Sequence, residues 1–309
     1  MSTNNEAGLR NKVEELFLRL VRLYTYHTPV SKGKYRLYEA ALSLCKSRPE
    51  SLQAPVKDGR RFWVNLTTGM QESVFFLGEF EWAVTKIISA LVREGDVCLD
   101  VGANFGWYTT LFYKKIGPEG AVHAFEPVPG TFRELDRNFE LMGAPENVYI
   151  NNVALGDHPA TVTLNLFQGQ PTGHASLSAK GSGDVSTFDC PMITLDSYLE
   201  KNQVKKVDLL KIDIEGAEMM FLEGAEKLFE QETPPVILME MALNQTKNFD
   251  YLPNDLIEFI RARGDYDFYA VNEWTAKLKK IEGIAADDIG ANVFCVPRGT
   301  REPELKEFI

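Results

Sequence analysis

Two acids stand where they could hold a nucleoside-linked cation. The stretch Val97-Cys-Leu-Asp-Val-Gly-Ala-Asn-Phe-Gly-Trp-Tyr108 reads as a buried strand ending in Asp100. The chain then turns through Gly102, Asn104 and Gly106 and enters a helix at Trp107 and Tyr108. So tight a turn needs backbone free of Cβ, for close approach and unusual φ. A second strand ends His123-Ala-Phe-Glu126-Pro127, and Glu126 follows Gly106 by about 20 residues, the spacing at which an acid hydrogen-bonds ribose hydroxyls. Beyond a third strand, Asn152, Ala154 and Asp157 lie where an adenine edge would be read. A dinucleotide loop spaces its glycines G-x-G-x-x-G and seats a pyrophosphate on a helix N-terminus. Here the spacing is G-x-x-x-G with an acid before it, which repels a pyrophosphate and suits the ammonium and sulfonium of S-adenosylmethionine.

A second constellation is Val207-Asp-Leu-Leu-Lys-Ile-Asp-Ile-Glu-Gly-Ala-Glu218. A central parallel strand should be nearly all apolar, yet Lys211, Asp213 and Glu215 recur with period 2 and so share one face near the carboxyl end. Buried charges of this kind cost several kcal/mol each unless paired, so a Lys–carboxylate network is expected. Methyl transfer is an in-line displacement in which alignment can contribute about 7–11 kcal/mol, and an acceptor that must lose a proton needs a base. The candidates are Asp213 (also a cofactor contact), Glu215, Glu240 and His174, the last in a Gly-rich loop. Asp213 with Glu215 could also suit a hard cation, but Lys211 can supply that countercharge, so no metal ligand is assigned. Trp107 and Tyr108 would flank the methionine arm, while His123, inside a strand, reads as a core residue.

The elements that position these groups alternate. Residues 1–94 read as an N-terminal helical cap, with apolar residues at Leu9, Val13, Leu16, Phe17, Leu20, Leu23 and Tyr24 at helical spacing. From residue 95 to 309, strand-like runs at Val97–Val101, Ala121–Glu126, Val148–Ala154, Val207–Ile214, Val236–Ala242, Tyr266–Val271 and Asn292–Pro297 alternate with helical segments. The helical segments are near Trp107–Ile116, Gly130–Met142, Ala217–Phe229 and Asn254–Arg263. That alternation predicts an α/β, Rossmann-like, doubly wound and mostly parallel sheet. It breaks between Gly156 and Asp196, where Thr161–Phe167 reads as an extra strand beside loops that could carry the substrate.

Taken together, these blocks resemble the FkbM family of S-adenosylmethionine-dependent methyltransferases. The marks are Leu99-Asp-Val-Gly-Ala-Asn-Phe-Gly106, Ala124-Phe-Glu-Pro127, Val153-Ala-Leu-Gly156, Thr194-Leu-Asp196, Leu210-Lys-Ile-Asp-Ile-Glu-Gly-Ala-Glu218 and Val236-Ile-Leu-Met-Glu240. They cover roughly residues 95–245. The resemblance implies a class I-type sheet of seven strands and O-methylation of a hydroxyl on a small metabolite, sugar or natural-product scaffold. An NAD(P)-dependent oxidoreductase is the competing enzyme on such a fold, and Asp100 argues against it. A non-catalytic scaffold is the third reading, which Asp213, Glu215 and Glu240 argue against.

Composition narrows the partners. A net charge of −11 disfavours nucleic acid. Residues 1–61 nevertheless carry 12 Lys and Arg against 6 Asp and Glu, a net of +6, leaving −17 for the remainder. This basic arm could serve as a lid or a homodimer face. Cys45, Cys98, Cys190 and Cys295 are scattered with no C-x-x-C pair, which fits a reducing compartment. With neither a signal-like nor a membrane-length apolar run, the expected setting is cytoplasmic, with a small hydroxylated substrate and no membrane partner.

Overall fold

The computed structural model describes residues 2–28, 33–167, 177, 185–285 and 290–309. The chain divides into two compact units, Met1–Phe80 and Glu81–Ile309. The division falls between Phe80 and Glu81 rather than at residue 94, because the helix Trp82–Leu91 packs with the second unit.

The first unit holds α1 (Ser2–His27), α2 (Lys34–Leu44), the antiparallel hairpin of β1 (Leu52–Pro55) and β2 (Arg61–Val64), and α3 (Glu72–Leu77). It is therefore helical with a hairpin, built on a small core of Leu18, Tyr38, Leu42, Phe62, Phe75 and Phe76. The Tyr38 ring stacks on Phe76 at 5.0 Å. Most of the apolar positions of α1 do not join this core: Val13, Leu16, Leu20 and Leu23 are each more than half exposed, while Leu18 and Thr25 are fully buried.

The second unit begins with α4 (Trp82–Leu91) and runs through β3 (Val97–Val101), α5 (Trp107–Ile116), β4 (Ala121–Phe125), α6 (Pro129–Leu141) and β5 (Val148–Asn151). A separate three-stranded sheet follows, of β6 (Ala154–Leu155), β7 (Ala160–Phe167) and β8 (Val185–Ile193), in the order β6-β8-β7. After it come α7 (Leu195–Lys201), β9 (Leu209–Ile212), α8 (Glu218–Glu223), β10 (Val236–Ala242), α9 (Leu243–Thr246) and α10 (Pro253–Arg261). The chain closes with β11 (Tyr266–Asn272), β12 (Lys277–Ile281), β13 (Gly290–Pro297) and α11 (Glu302–Leu305).

The main sheet is ordered β12-β11-β13-β10-β9-β3-β4-β5. Strands β3, β4, β5, β9 and β10 pair in parallel, and β13 runs antiparallel between β10 and β11. The sheet thus has eight strands rather than seven. The addition, β12, pairs antiparallel with β11; its Lys-rich run gives no apolar strand signal because it lies at an edge, where charge is tolerated. The helix read across Ala217–Phe229 is shorter than its sequence suggests. Its C-cap is Gly224, where any Cβ would lie 2.0 Å from the carbonyl oxygen of Gly156.

Both faces of the central strands are covered, and Leu209, Leu210, Ile212, Ile237 and Met239 are all buried to 2% or less. Each such side chain contributes about 1.5–3 kcal/mol through burial. The chain winds from β3 outward to β5 and returns to β9 on the other side of β3. The topological switch point, where ligands bind in such sheets, therefore lies between the carboxyl ends of β3 and β9.

At the other end of the chain a buried ion pair ties the C-terminus to the sheet. The Arg301 Nη2 donates to both oxygens of Asp96 at 2.8 and 2.9 Å, and both side chains are under 10% exposed. Removing one partner strands the other charge, so Arg301→Ala is expected to cost about 3–5 kcal/mol. Urea unfolding checks this; a loss below about 1 kcal/mol would place the pair among exposed, weakly coupled ones.

Candidate active site

The loop from β3 to α5 is set by three residues of positive φ, Gly102 (78°), Asn104 (51°) and Gly106 (90°). Gly102 is required by the neighbouring strand: a Cβ there would lie 1.9 Å from the backbone oxygen of Asp213. The glycine lets the ends of β3 and β9 touch at the switch point. Gly102→Ala combines that overlap with a left-handed backbone costing about 1–2 kcal/mol, and the obstacle is backbone that cannot rotate aside. Thermal unfolding should show a midpoint several degrees lower; an unchanged midpoint would refute this close approach.

A cleft of about 560 Å³ opens beside this contact. Gly102, Glu126, Pro127, Ala154, Asp213 and Glu215 contribute to its wall, with apolar surface from Val128, Val153 and Leu164. Glu126 is 5% exposed. One of its oxygens accepts the Asn104 N–H and the other the Val128 N–H, each at 2.9 Å. Burial pushes its carboxyl up to about 7, against the pull of those two donors. The Asn104 amide, which a dinucleotide loop would turn toward phosphate, is already committed to a carboxylate.

On the α5 side of the sheet Lys211 and Asp213 meet, as their period-2 spacing predicts. But β9 ends at Ile212, and Glu215, at φ 58°, lies in the turn beyond it and does not continue that strand face. Lys211 is 6% exposed, donates to Asp213 Oδ2 at 3.1 Å and lies 5.1 Å from the Tyr108 ring centroid. Burial works against its charge, but Asp213, Asp100 and Glu81 together raise its pKa. Asp100 is fully buried and does not line the cleft; its Oδ2 accepts from Thr109 Oγ1 at 2.6 Å, and its Oδ1 has no partner among the described residues. Burial raises its pKa, with Lys211 opposing. Gln245 Nε2 bridges Glu215 (2.8 Å) and Glu240 (3.0 Å). Burial, then Asp213, raises the pKa of Glu240.

The other expected residues divide. Trp107 and Tyr108 are buried at the start of α5, and Trp107 Nε1 donates to Thr85. Asn152 Nδ2 donates to the carbonyls of Glu126 and Pro127 at 2.8 and 3.1 Å, so it braces the loop and is absent from the cleft wall. Asp157 is exposed, pairs with His158 at 2.8 Å and is likewise absent from the wall. His123 is buried against Tyr198 and Tyr149, and burial lowers its pKa to about 4. His174 lies outside the described residues. Among the described residues no group of three or more His, Cys, Asp or Glu is disposed to hold a metal ion, and no helix is long and apolar enough to cross a membrane.

One acid escapes the motif reading. Glu81, at the N-cap of α4, is a non-glycine residue with φ 42° and ψ 54°, a strained conformation that clusters at functional sites. Tyr108 Oη donates to its Oε2 at 2.6 Å. Glu81 is exposed to solvent, although it stands among the charges of Asp213 and Lys211 and against the Tyr108 hydroxyl. Partial desolvation, then the charge of Asp213, pushes its pKa up to about 7, with Lys211 and Tyr108 restraining the rise.

The model of the methyltransferase FkbM domain matches residues 100–266 of the chain. Methyltransferase 1 of Beauveria bassiana is 27% identical over 186 residues, 54% of this chain and 66% of that protein. Hexuronic acid methyltransferase AglP of Haloferax volcanii is 29% identical over 144 residues, 47% of this chain and 56% of that one. The 31-O-demethyl-FK506 methyltransferase FkbM of Streptomyces tacrolimicus is 28% identical over 160 residues, 44% of this chain and 61% of that one. The matches thus span 56–66% of the length of these relatives.

Proposed function

This chain belongs to the FkbM methyltransferase family, and we propose that it moves a methyl group from S-adenosylmethionine to a hydroxyl oxygen of a sugar or natural-product scaffold. The observation that carries the reading is the charge balance at the switch point. One lysine, Lys211, is set among Asp100, Asp213 and Glu81, with Glu126, Glu215 and Glu240 close by on the ends of neighbouring strands. Such an excess of carboxylate attracts a cation and repels a pyrophosphate, which disfavours a dinucleotide.

The residues present fit the methyl donor. Glu126 keeps lone pairs beyond those used by its two backbone donors, enough to accept ribose hydroxyls. Ala154, Val128 and Val153 offer an apolar slot for a flat base. The buried Asp100, off the cleft wall but with its Oδ1 unpartnered among the described residues, adds to the negative field that favours a cation nearby. Gly102, Asn104, Pro127 and Asp213 complete the set assigned to holding the donor. When bound, S-adenosylmethionine supplies a methyl on a sulfonium, already a good electrophile.

The chain must then take one proton from the acceptor hydroxyl. Glu81 is the candidate for that task. It is exposed and off the wall of the cleft beside Gly102, but it meets Tyr108 and the charges of Lys211 and Asp213. Its pKa near 7 matches a general base working at neutral pH, and its Oε1 makes no hydrogen bond among the described residues. Asp213, Glu215 and Glu240 would hold the negative field around it. The relatives named for a hexuronic acid and for 31-O-demethyl-FK506 are consistent with oxygen acceptors. Calorimetry with S-adenosylhomocysteine and with NADH, followed by transfer of labelled methyl to uronic acids and polyhydroxylated macrolides, tests the reading. Binding of NADH in place of S-adenosylhomocysteine would overturn it.

A further inference from the structure

Helix α1 presents its faces the wrong way round for an isolated unit. Beside Leu18, which enters the core, the side turned toward its own unit does polar work. Glu14 accepts the backbone N–H groups of Lys46 and Ser47 at 3.3 and 3.0 Å. Arg22 donates to the Pro55 carbonyl, and Thr25 Oγ1 to the Phe76 carbonyl, both at 2.6 Å. The side turned outward carries Val13, Leu16, Phe17, Leu20, Leu23 and Tyr24, between 38% and 59% exposed. A surface helix ordinarily buries its apolar stripe, so this one is built to be covered.

The spacing indicates by what. Val13 and Leu20, Leu16 and Leu23, and Phe17 and Tyr24 each lie seven residues apart, the repeat of a helix–helix seam. Such a seam is complementary to another of the same kind, and a second copy of this chain carries one. We propose that two copies associate through α1, seam to seam. From their fractional exposures the six residues present roughly 600 Å² on each copy, so complete pairing would bury at most about 1,200 Å², the lower end of what stable association uses. A bilayer is a poorer occupant. Arg10 is paired with Glu14 and Arg19 with Glu15 along the helix, so the flanks offer little uncompensated positive charge to anionic lipid.

Sedimentation of the full chain at micromolar concentration tests the proposal. The wild type should run at twice its 34.8 kDa chain mass. Leu16→Glu combined with Leu20→Glu should raise the dimer dissociation constant at least about a hundredfold, by placing like charges in the seam. Both positions are exposed, and an unchanged circular dichroism spectrum would confirm that the fold survives. Trp274→Ser, which removes an indole 90% exposed elsewhere, should leave the dimer intact. A monomeric wild type, a double variant that stays dimeric, or dissociation by Trp274→Ser would each overturn it. So would a monomer that floats with neutral or anionic vesicles through these leucines, which would assign the seam to lipid.

Discussion

Glu126→Ala is expected to weaken S-adenosylhomocysteine binding about a hundredfold or more. Two ribose hydroxyls donating to one carboxylate are charge-assisted bonds worth about 1.5–3 kcal/mol each, and about 1.4 kcal/mol corresponds to a factor of ten. Glu126 also accepts from the N–H groups of Asn104 and Val128, so its loss could act by loosening the loop. The two effects separate experimentally. A lost ribose contact lowers affinity while leaving the unliganded melting temperature near the wild-type value, whereas a loosened loop lowers both. Undiminished affinity would remove Glu126 from the site.

The pH dependence follows from the same carboxyl. Burial raises Glu126 from 4.5 to about 7, so between those values the folded protein holds a proton that the unfolded chain has released. The contribution of this group to unliganded stability is therefore full below about pH 4.5 and is lost as pH rises through 7. A cationic ligand reverses the preference, because it favours the ionised carboxylate. Affinity for S-adenosylmethionine should climb as pH rises through 7, with proton release on binding, and should climb more steeply than affinity for the uncharged sulfur of S-adenosylhomocysteine. Parallel pH profiles for the two would contradict an acid-rich site.

Much of this was written locally in the chain. The strand–turn–helix around Gly102 and the strand-end acid Glu126 depend on short spacings, and so did the common face of Lys211 and Asp213, since period 2 forces it. What stayed hidden depends on partners distant in sequence. Glu81 looks like one more acid before an amphipathic helix; its left-handed backbone and its bond to Tyr108 exist only once α4 and α5 pack. Asn152 stood at the right point of its strand, but the carbonyls of Glu126 and Pro127 claimed its amide. Asp157 was placed by proximity to the third strand, and the turn before β7 carries it outward. The helical period of α1 was plain, yet periodicity gives only the relation among residues and not which side meets the body.

Glu81→Gln should lower the rate of methyl transfer by about 10²- to 10⁴-fold, the usual contribution of a positioned general base, while leaving S-adenosylhomocysteine affinity unchanged. With the wild type, the rate should rise with pH and level off above the pKa near 7, since only the ionised carboxylate accepts a proton. The glutamine variant should lose that limb. A purely structural Glu81 would also lower the rate on replacement, so Tyr108→Phe decides between the two roles. The Tyr108 hydroxyl donates to Oε2 at 2.6 Å and holds the pKa of Glu81 below where partial desolvation and Asp213 would otherwise take it. Removing that donor disfavours the ionised form, so the limb should move to higher pH with the plateau rate retained. If the limb stays in place in Tyr108→Phe and survives in Glu81→Gln but vanishes in Asp213→Asn, the proton goes to Asp213, and the strain at Glu81 serves another end.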